Sequence, residues 1–278
     1  MSERGILGHE ILPGAPDCPV ILHVPHSATL IPLDARDSIL LTDAELVVEL
    51  RHMTDAHTDV LARAAAREAG GRPWQFVNRC SRLVVDPERF PDEREEMVAV
   101  GMGAVYTATS HRTPLRDPDP DRDRLLIATY FDPYAHALAE LVDQRLAACG
   151  RAVIIDVHSY PAVALPYEQH GDLARPPICL GVDDFHTPDW LADAARDALS
   201  AIGECLVNEP FRGTYVPLAH HGVDPRVASI MIEIRRDVYC GPDLELGEAW
   251  IELARSLGFL LRELCREGCQ HPPALPCE

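Results

Sequence analysis

An α/β fold with a mostly parallel central sheet flanked by helices is the architecture this sequence predicts, and three observations point to it. Short β-branched runs alternate with longer stretches of helical periodicity. One run, AVIIDVHSY at Ala152–Tyr160, is apolar through its first four residues, as strands covered on both faces are. It then passes directly into Asp156-Val157-His158-Ser159, and open sheets of this class bind ligands where their strands end. At 278 residues the chain is within reach of a single α/β domain, so one domain over 1–278 is expected.

Taken in order, residues 1–19 carry Pro13, Pro16 and Pro19 around a glycine and read as a surface lead-in. The first strand is then Val20–Val24, delivering His23, His26 and Ser27 at its end. His26, followed by small residues, has room around it; His23 could equally be a satisfied core histidine. Thr42-Asp43-Ala44-Glu45 has capping-box form and opens a helix to about Arg51. Thr58 is placed to cap a second helix that stops at Gly70-Gly71, leaving Asp55-Ala56-His57 in a short turn before it. Residues 74–77 and 83–85 read as strands, with Arg79, Arg82 and Arg89 around them. In an acidic chain such guanidinium groups suggest an anion site.

Residues 91–123 are rich in Pro, Asp, Arg and Gly and read as a long loop or flap. A helix over 130–148, stopped by Gly150, leads into Ala152–Tyr160. A proline-rich connection over 161–177, a strand over 178–182, a helix from Thr187-Pro188-Asp189 to about Ile202 and a strand at Cys205–Val207 follow. The loop after it carries Arg212, His220 and His221. The strand over 229–234 places Glu233 inside the apolar run SIMIEI, where a carboxylate must be paired or functional. A helix over 244–265 closes the series, and the tail beyond it has no readable role.

Composition narrows the function. With 44 acidic against 25 basic residues the formal net charge is −19, a field that repels nucleic acid and anionic membranes. All basic residues are arginine, which excludes Schiff-base and P-loop lysines. No apolar run approaches the roughly 20 residues of a membrane span, and the first residues lack a signal-peptide pattern. A cytoplasmic protein is the expectation. Nine cysteines without CxxC pairs suit buried thiols in a reducing compartment.

At the strand ends, His26, His158 and the Asp55 turn assemble two imidazoles and a carboxylate. That is the ligand set of a hydrolytic zinc site with a position left for water. Glu233 is the candidate general base for water attack on an amide.

The motifs VPHS (24–27), TDAHTD (54–59), SRLVVD (81–86), DVHS (156–159), FRGTYVPLAHHG (211–222) and IEIRRDVY (232–239) run through nearly the whole chain. In that order they resemble the N-formylglutamate amidohydrolase (deformylase) family. The resemblance implies a fold similar to zinc carboxypeptidases and aspartoacylases, and metal-dependent cleavage of an N-acyl group from a small-molecule amino acid. It maps His26 and His158 onto metal-binding positions, with Asp55 as carboxylate ligand and Glu233 where the family keeps its glutamate. His57, in the same motif as Asp55, is the alternative ligand or a substrate contact. Arg82 matches the family's Ser-Arg pair and implies substrate anchoring or oxyanion stabilisation; Arg89 and Arg212 are candidates for substrate carboxylates. Where the family commonly shows DxNR, this chain has Asp86-Pro87-Glu88-Arg89, adding a negative charge.

Zn2+ is the expected cofactor, although such ligand sets also accept iron, cobalt or manganese. Rival readings are a hydrolase of the same fold acting on another N-acyl amino acid, a formimino compound or a small peptide, and a non-catalytic acidic binding protein. A serine hydrolase using Ser27 or Ser159 lacks the GxSxG elbow.

Overall fold

The computed structural model describes residues 8–169 and 171–267. Their strands are β1 (His9–Leu12), β2 (Val20–Val24), β3 (Trp74–Asn78), β4 (Ala152–Tyr160), β5 (Ile178–Gly181), β6 (Cys205–Val207) and β7 (Val227–Arg235), joined in one sheet of order β1-β3-β2-β4-β7-β5-β6. The central neighbours β3, β2, β4 and β7 are parallel, as are β5 and β6; β1 on β3 and β5 on β7 run antiparallel. The helices are α1 (Leu33–Arg36), α2 (Asp43–Met53), α3 (Thr58–Glu68), α4 (Pro120–Leu126), α5 (Asp132–Cys149), α6 (Asp189–Leu199) and α7 (Trp250–Glu267). None of the described helices is long and apolar enough to cross a membrane.

Alternation along β4 shows why it sits at the centre. Val153, Ile155 and Val157 join the core beneath α3, α6 and α7, while Ala152 and Ile154 face the opposite core under α5. Burying a branched side chain of this size contributes about 1.5–3 kcal/mol, and all nine β4 residues are buried. On α7, Leu253, Leu257, Leu260, Leu261 and Leu264 fall on one stripe and meet Leu61 and Ala65 of α3 in the first core.

The Thr42 capping box is present in full, and Gly150 ends α5 in the left-handed conformation at φ 73°. Several expectations are corrected. Residues 9–12, read as lead-in, form the edge strand β1. Residues 83–85 form no strand: Leu83 and Val84 lie in a turn, and Leu83, Val84 and Val85 bury into side-wall clusters instead of pairing with the sheet. Thr58 is the first residue of α3; His57 precedes it at φ 62°, and the Thr58 hydroxyl donates to the Asp55 carbonyl. The helix expected from Thr187-Pro188-Asp189 to about Ile202 is α6, which begins at Asp189 after Pro188 and ends at Leu199. A π-helical turn, Ile127–Phe131, joins α4 to α5, so the helical course begins at Pro120 inside the expected flap. The last helix starts at Trp250, since Cys240 and Leu246 form an isolated β-bridge across the preceding turn. The seven described cysteines are free thiols; the tail beyond Glu267 lies outside the described residues.

Candidate metal centre

At the carboxyl ends of β2, β4 and β7 lies a cavity of about 310 Å³, lined by His26, Asp55, Arg82, Asp86, Glu88, Arg89, Asp156, His158, Arg212, Glu233 and Arg236 among others. Each enters from a defined element. His26 follows β2 after Pro25, whose carbonyl accepts from Asn78 Nδ2 at the end of β3 (2.8 Å). Asp156 and His158 are two residues apart on β4 and therefore share a face. Glu233 stands opposite His158 in the β4–β7 register. Asp55 sits in the turn between α2 and α3, and its backbone N–H donates to the His26 carbonyl (3.0 Å), tying that turn to the strand end.

Three donor atoms converge. His26 Nδ1 and His158 Nδ1 are 3.3 Å apart; Asp55 Oδ2 is 3.0 Å from the latter and 3.7 Å from the former. The far nitrogens face carboxylates: His26 Nε2 lies 2.9 Å from Asp86 Oδ1, and His158 Nε2 lies 3.0 Å from Asp156 Oδ1 and 3.3 Å from Glu88 Oε2. The His158 contacts are close in distance but not aligned as hydrogen bonds, since this nitrogen has no hydrogen-bond partner. Carboxylates behind both rings favour protons on Nε2 and turn the Nδ1 lone pairs toward each other and toward Asp55. Two ring nitrogens and a carboxylate oxygen at such spacing are held together either by a proton donated from Nδ1 to Asp55 or by a cation between them. At metal–ligand distances of about 2.0–2.2 Å, this donor set fits a divalent ion. All three residues are buried.

Burial opposes the Asp55 negative charge, but hydrogen bonds to His158 and His26 outweigh it and hold the carboxyl below its usual range. Glu233 shows the reverse. Burial, reinforced by Asp55 and opposed by His158, pushes it up to about 7, and Oε2 is buried without a hydrogen-bond partner.

The remaining arginine-rich wall comes from the segment after β3. Arg82 Nη2 donates to Asp86 Oδ2 (2.7 Å) and Nε donates to the Tyr106 hydroxyl (2.9 Å), while Tyr106 also donates to Asp86. Arg89 reaches the cavity with its Nε buried and without a hydrogen-bond partner. Arg212 is exposed at the rim. His57 is not brought to the cavity: Nε2 is turned away to the Leu244 carbonyl, 2.6 Å off. Between the two candidates in that motif, the geometry brings Asp55 to the histidines. His23 is a satisfied core histidine, between Asp156 (2.9 Å) and the Tyr134 hydroxyl.

Asp86, Asp156 and Arg236 escaped the sequence reading as site residues. The i, i+2 spacing of Asp156 and His158 was the available signal for one of them. Arg236 binds the carbonyl of His52 (2.9 Å) and approaches Asp55 Oδ1 (3.6 Å), so it braces the Asp55 turn; nothing local in the sequence announces that contact.

The model of the N-formylglutamate amidohydrolase family matches residues 18–240. The chain belongs to that family. Among solved structures, the N-formylglutamate amidohydrolase from Ralstonia eutropha JMP134 is 23% identical, with 94% of this chain and 98% of that one covered at a TM-score of 0.79. The Atu2144 gene product of Agrobacterium tumefaciens is 20% identical over 94% of each chain, at a TM-score of 0.67. These likenesses establish the fold of an N-formylglutamate amidohydrolase family member. A metallo-carboxypeptidase from Burkholderia cenocepacia superposes only weakly, at a TM-score of 0.35 with 12% identity, 90% of this chain and 57% of that one covered. No curated protein matches the chain.

Proposed function

We propose that this family member is a metal-dependent amidohydrolase that removes the formyl group from an N-formyl amino acid such as N-formylglutamate. The observation that carries the reading is the triangle of His26, Asp55 and His158 beside a buried, unpartnered Glu233 carboxylate. A divalent ion, zinc by preference for this nitrogen and oxygen set, would polarise the amide carbonyl and lower the pKa of water toward neutrality.

The chain's own groups do the rest. Asp86 orients the His26 imidazole by a hydrogen bond, Asp156 sets a negative charge behind that of His158, and Arg236 braces Asp55. Glu233 takes a proton from the attacking water and returns it to the leaving nitrogen; the carbon–nitrogen bond breaks to give formate and the free amine. A carboxyl titrating near neutrality is suited to both transfers. Arg82, whose Nε and Nη2 are engaged by Tyr106 and Asp86, directs its other N–H groups to the developing oxyanion. Arg89 and Arg212 pair with substrate carboxylates, where a guanidinium fork matches two oxygens.

A second reading keeps the chemistry and changes the substrate. Glu88 adds a carboxylate beside Arg89, with Oε1 buried and without a hydrogen-bond partner, 3.5 Å from His23 Nδ1, which favours a less anionic substrate: another N-acyl amino acid, a formimino compound or a small peptide. Hydrolysis of a panel of these compounds by zinc-loaded protein, followed by release of amine and of formate or the other acyl product, tests both. We expect turnover of at least one N-formyl or N-acyl amino acid, abolished by a chelator and restored by zinc. No turnover of any panel member by fully loaded protein would refute the proposal.

A further inference from the structure

A second group of metal-ligating side chains lies at the edge of the cavity. Glu49 and His52 are one helical turn apart on α2, and His111 comes from the loop after the isolated bridge at Ala108. One donor atom from each falls within 4.8 Å of the others. Their hub is Ser110. Its backbone N–H and hydroxyl donate to the two oxygens of the buried Glu49 (2.6 and 2.8 Å), and the same hydroxyl lies 3.1 Å from His111 Nδ1 and 3.4 Å from His52 Nδ1. The imidazole centroids are 4.9 Å apart, inclined by 39°.

The arrangement exceeds what holding the loop requires. The Glu49–Ser110 pair fixes the backbone by itself, yet two further imidazoles turn Nδ1 to the same Ser110 hydroxyl, an oxygen that would stand beside them as a further donor. Each Glu49 oxygen accepts one hydrogen bond from Ser110 and keeps lone-pair capacity. A tetrahedral ion at about 2.1 Å from its ligands wants them roughly 3.4 Å apart. The contraction needed is within reach of the exposed His111 side chain, so the fixed carboxylate and half-buried His52 would form the rigid part of the site.

We propose that Glu49, His52 and His111 form a second site for a zinc-like divalent ion, which pins the loop around 107–116 to α2. The position gives it a line to the catalytic cavity. Arg236 joins the His52 carbonyl to the neighbourhood of Asp55, and the Ser110 carbonyl accepts from the backbone N–H of Tyr167 in the cavity wall (3.1 Å). Filling the site should therefore stiffen one wall of the cavity.

Zinc titration of the full chain by calorimetry, with wild type, His111→Ala and His158→Ala, separates the sites. His111→Ala should bind one ion fewer than wild type, and His158→Ala should retain an ion that the added His111→Ala change removes. Backbone amides of 107–116 should exchange more slowly with zinc in wild type and His158→Ala, but not in His111→Ala. Equal stoichiometry in His111→Ala and wild type, or loop exchange indifferent to zinc, would overturn the second site. Because the two variants report separate sites, failure of the central triangle to bind metal would leave this result readable.

Discussion

The two walls of the cavity are built differently. The strand ends contribute His26, His158 and Glu233, which leave lone pairs or unpartnered oxygens facing inward. The segment after β3 contributes Arg82 and Asp86, which pair with each other and with Tyr106; Asp86 reaches the triangle through His26, and Arg82 itself lines the cavity. Parallel strands held between neighbours on both sides keep unpaired groups in place without help. An irregular segment keeps its charges buried only by pairing them, because an isolated buried charge costs far more than a paired one. The strand wall is therefore predicted to hold the metal and move the proton, and the loop wall to orient the ligands and anchor the substrate.

Substitutions on the two walls should differ in kind, beginning with the strands. His158→Ala removes one donor of the triangle and should abolish both metal at that position and turnover, as metal analysis beside an activity assay would show. Glu233→Gln should keep its metal and lose on the order of 10²–10⁴ in kcat, the usual contribution of a general base. Metal-free protein adds a pH test of the same residue. The folded pKa of Glu233, about 7, lies above its unfolded value. Its favourable contribution is complete below about pH 4.5 and is lost as pH rises through 7. Across that interval stripped wild type should lose up to about 3 kcal/mol relative to stripped Glu233→Gln in denaturant titrations. Parallel curves would contradict the buried, unpaired carboxylate.

On the loop wall, Asp86→Asn should retain the fold, read by circular dichroism, and weaken metal affinity by about 10–100-fold, since a ligand's hydrogen-bond partner is what changes. The smallest effect is expected at the rim. Arg212→Ala should raise KM for a dicarboxylate substrate while sparing kcat, because uniform binding is all an exposed cation contributes. A large fall in kcat there would erase the distinction between binding rim and reacting centre.

The same contrast governed what the sequence revealed. His26, His158 and Glu233 were legible because polar residues interrupt apolar strand runs, and alternation tells which face they share. Asp55 was legible as a turn residue, although a left-handed His57 rather than a Thr58 cap makes that turn. The β-branched composition of 83–85 suggested a strand, but tertiary packing of Leu83, Val84 and Val85 into two separate clusters decided otherwise. Asp86, Arg236 and Tyr106 act through partners as distant in sequence as His26 and His52, and no local pattern encodes such contacts. His57 had the right motif and the wrong direction, since its ring meets the carbonyl of Leu244.

Anomalous diffraction at the zinc edge from crystals of the metal-loaded protein addresses the central claim most directly. The account predicts a peak about 2 Å from His26 Nδ1, His158 Nδ1 and an Asp55 carboxylate oxygen. A peak on their Nε2 side, among Glu88, Asp86 and Asp156, or no peak between the rings at full zinc loading, would contradict it.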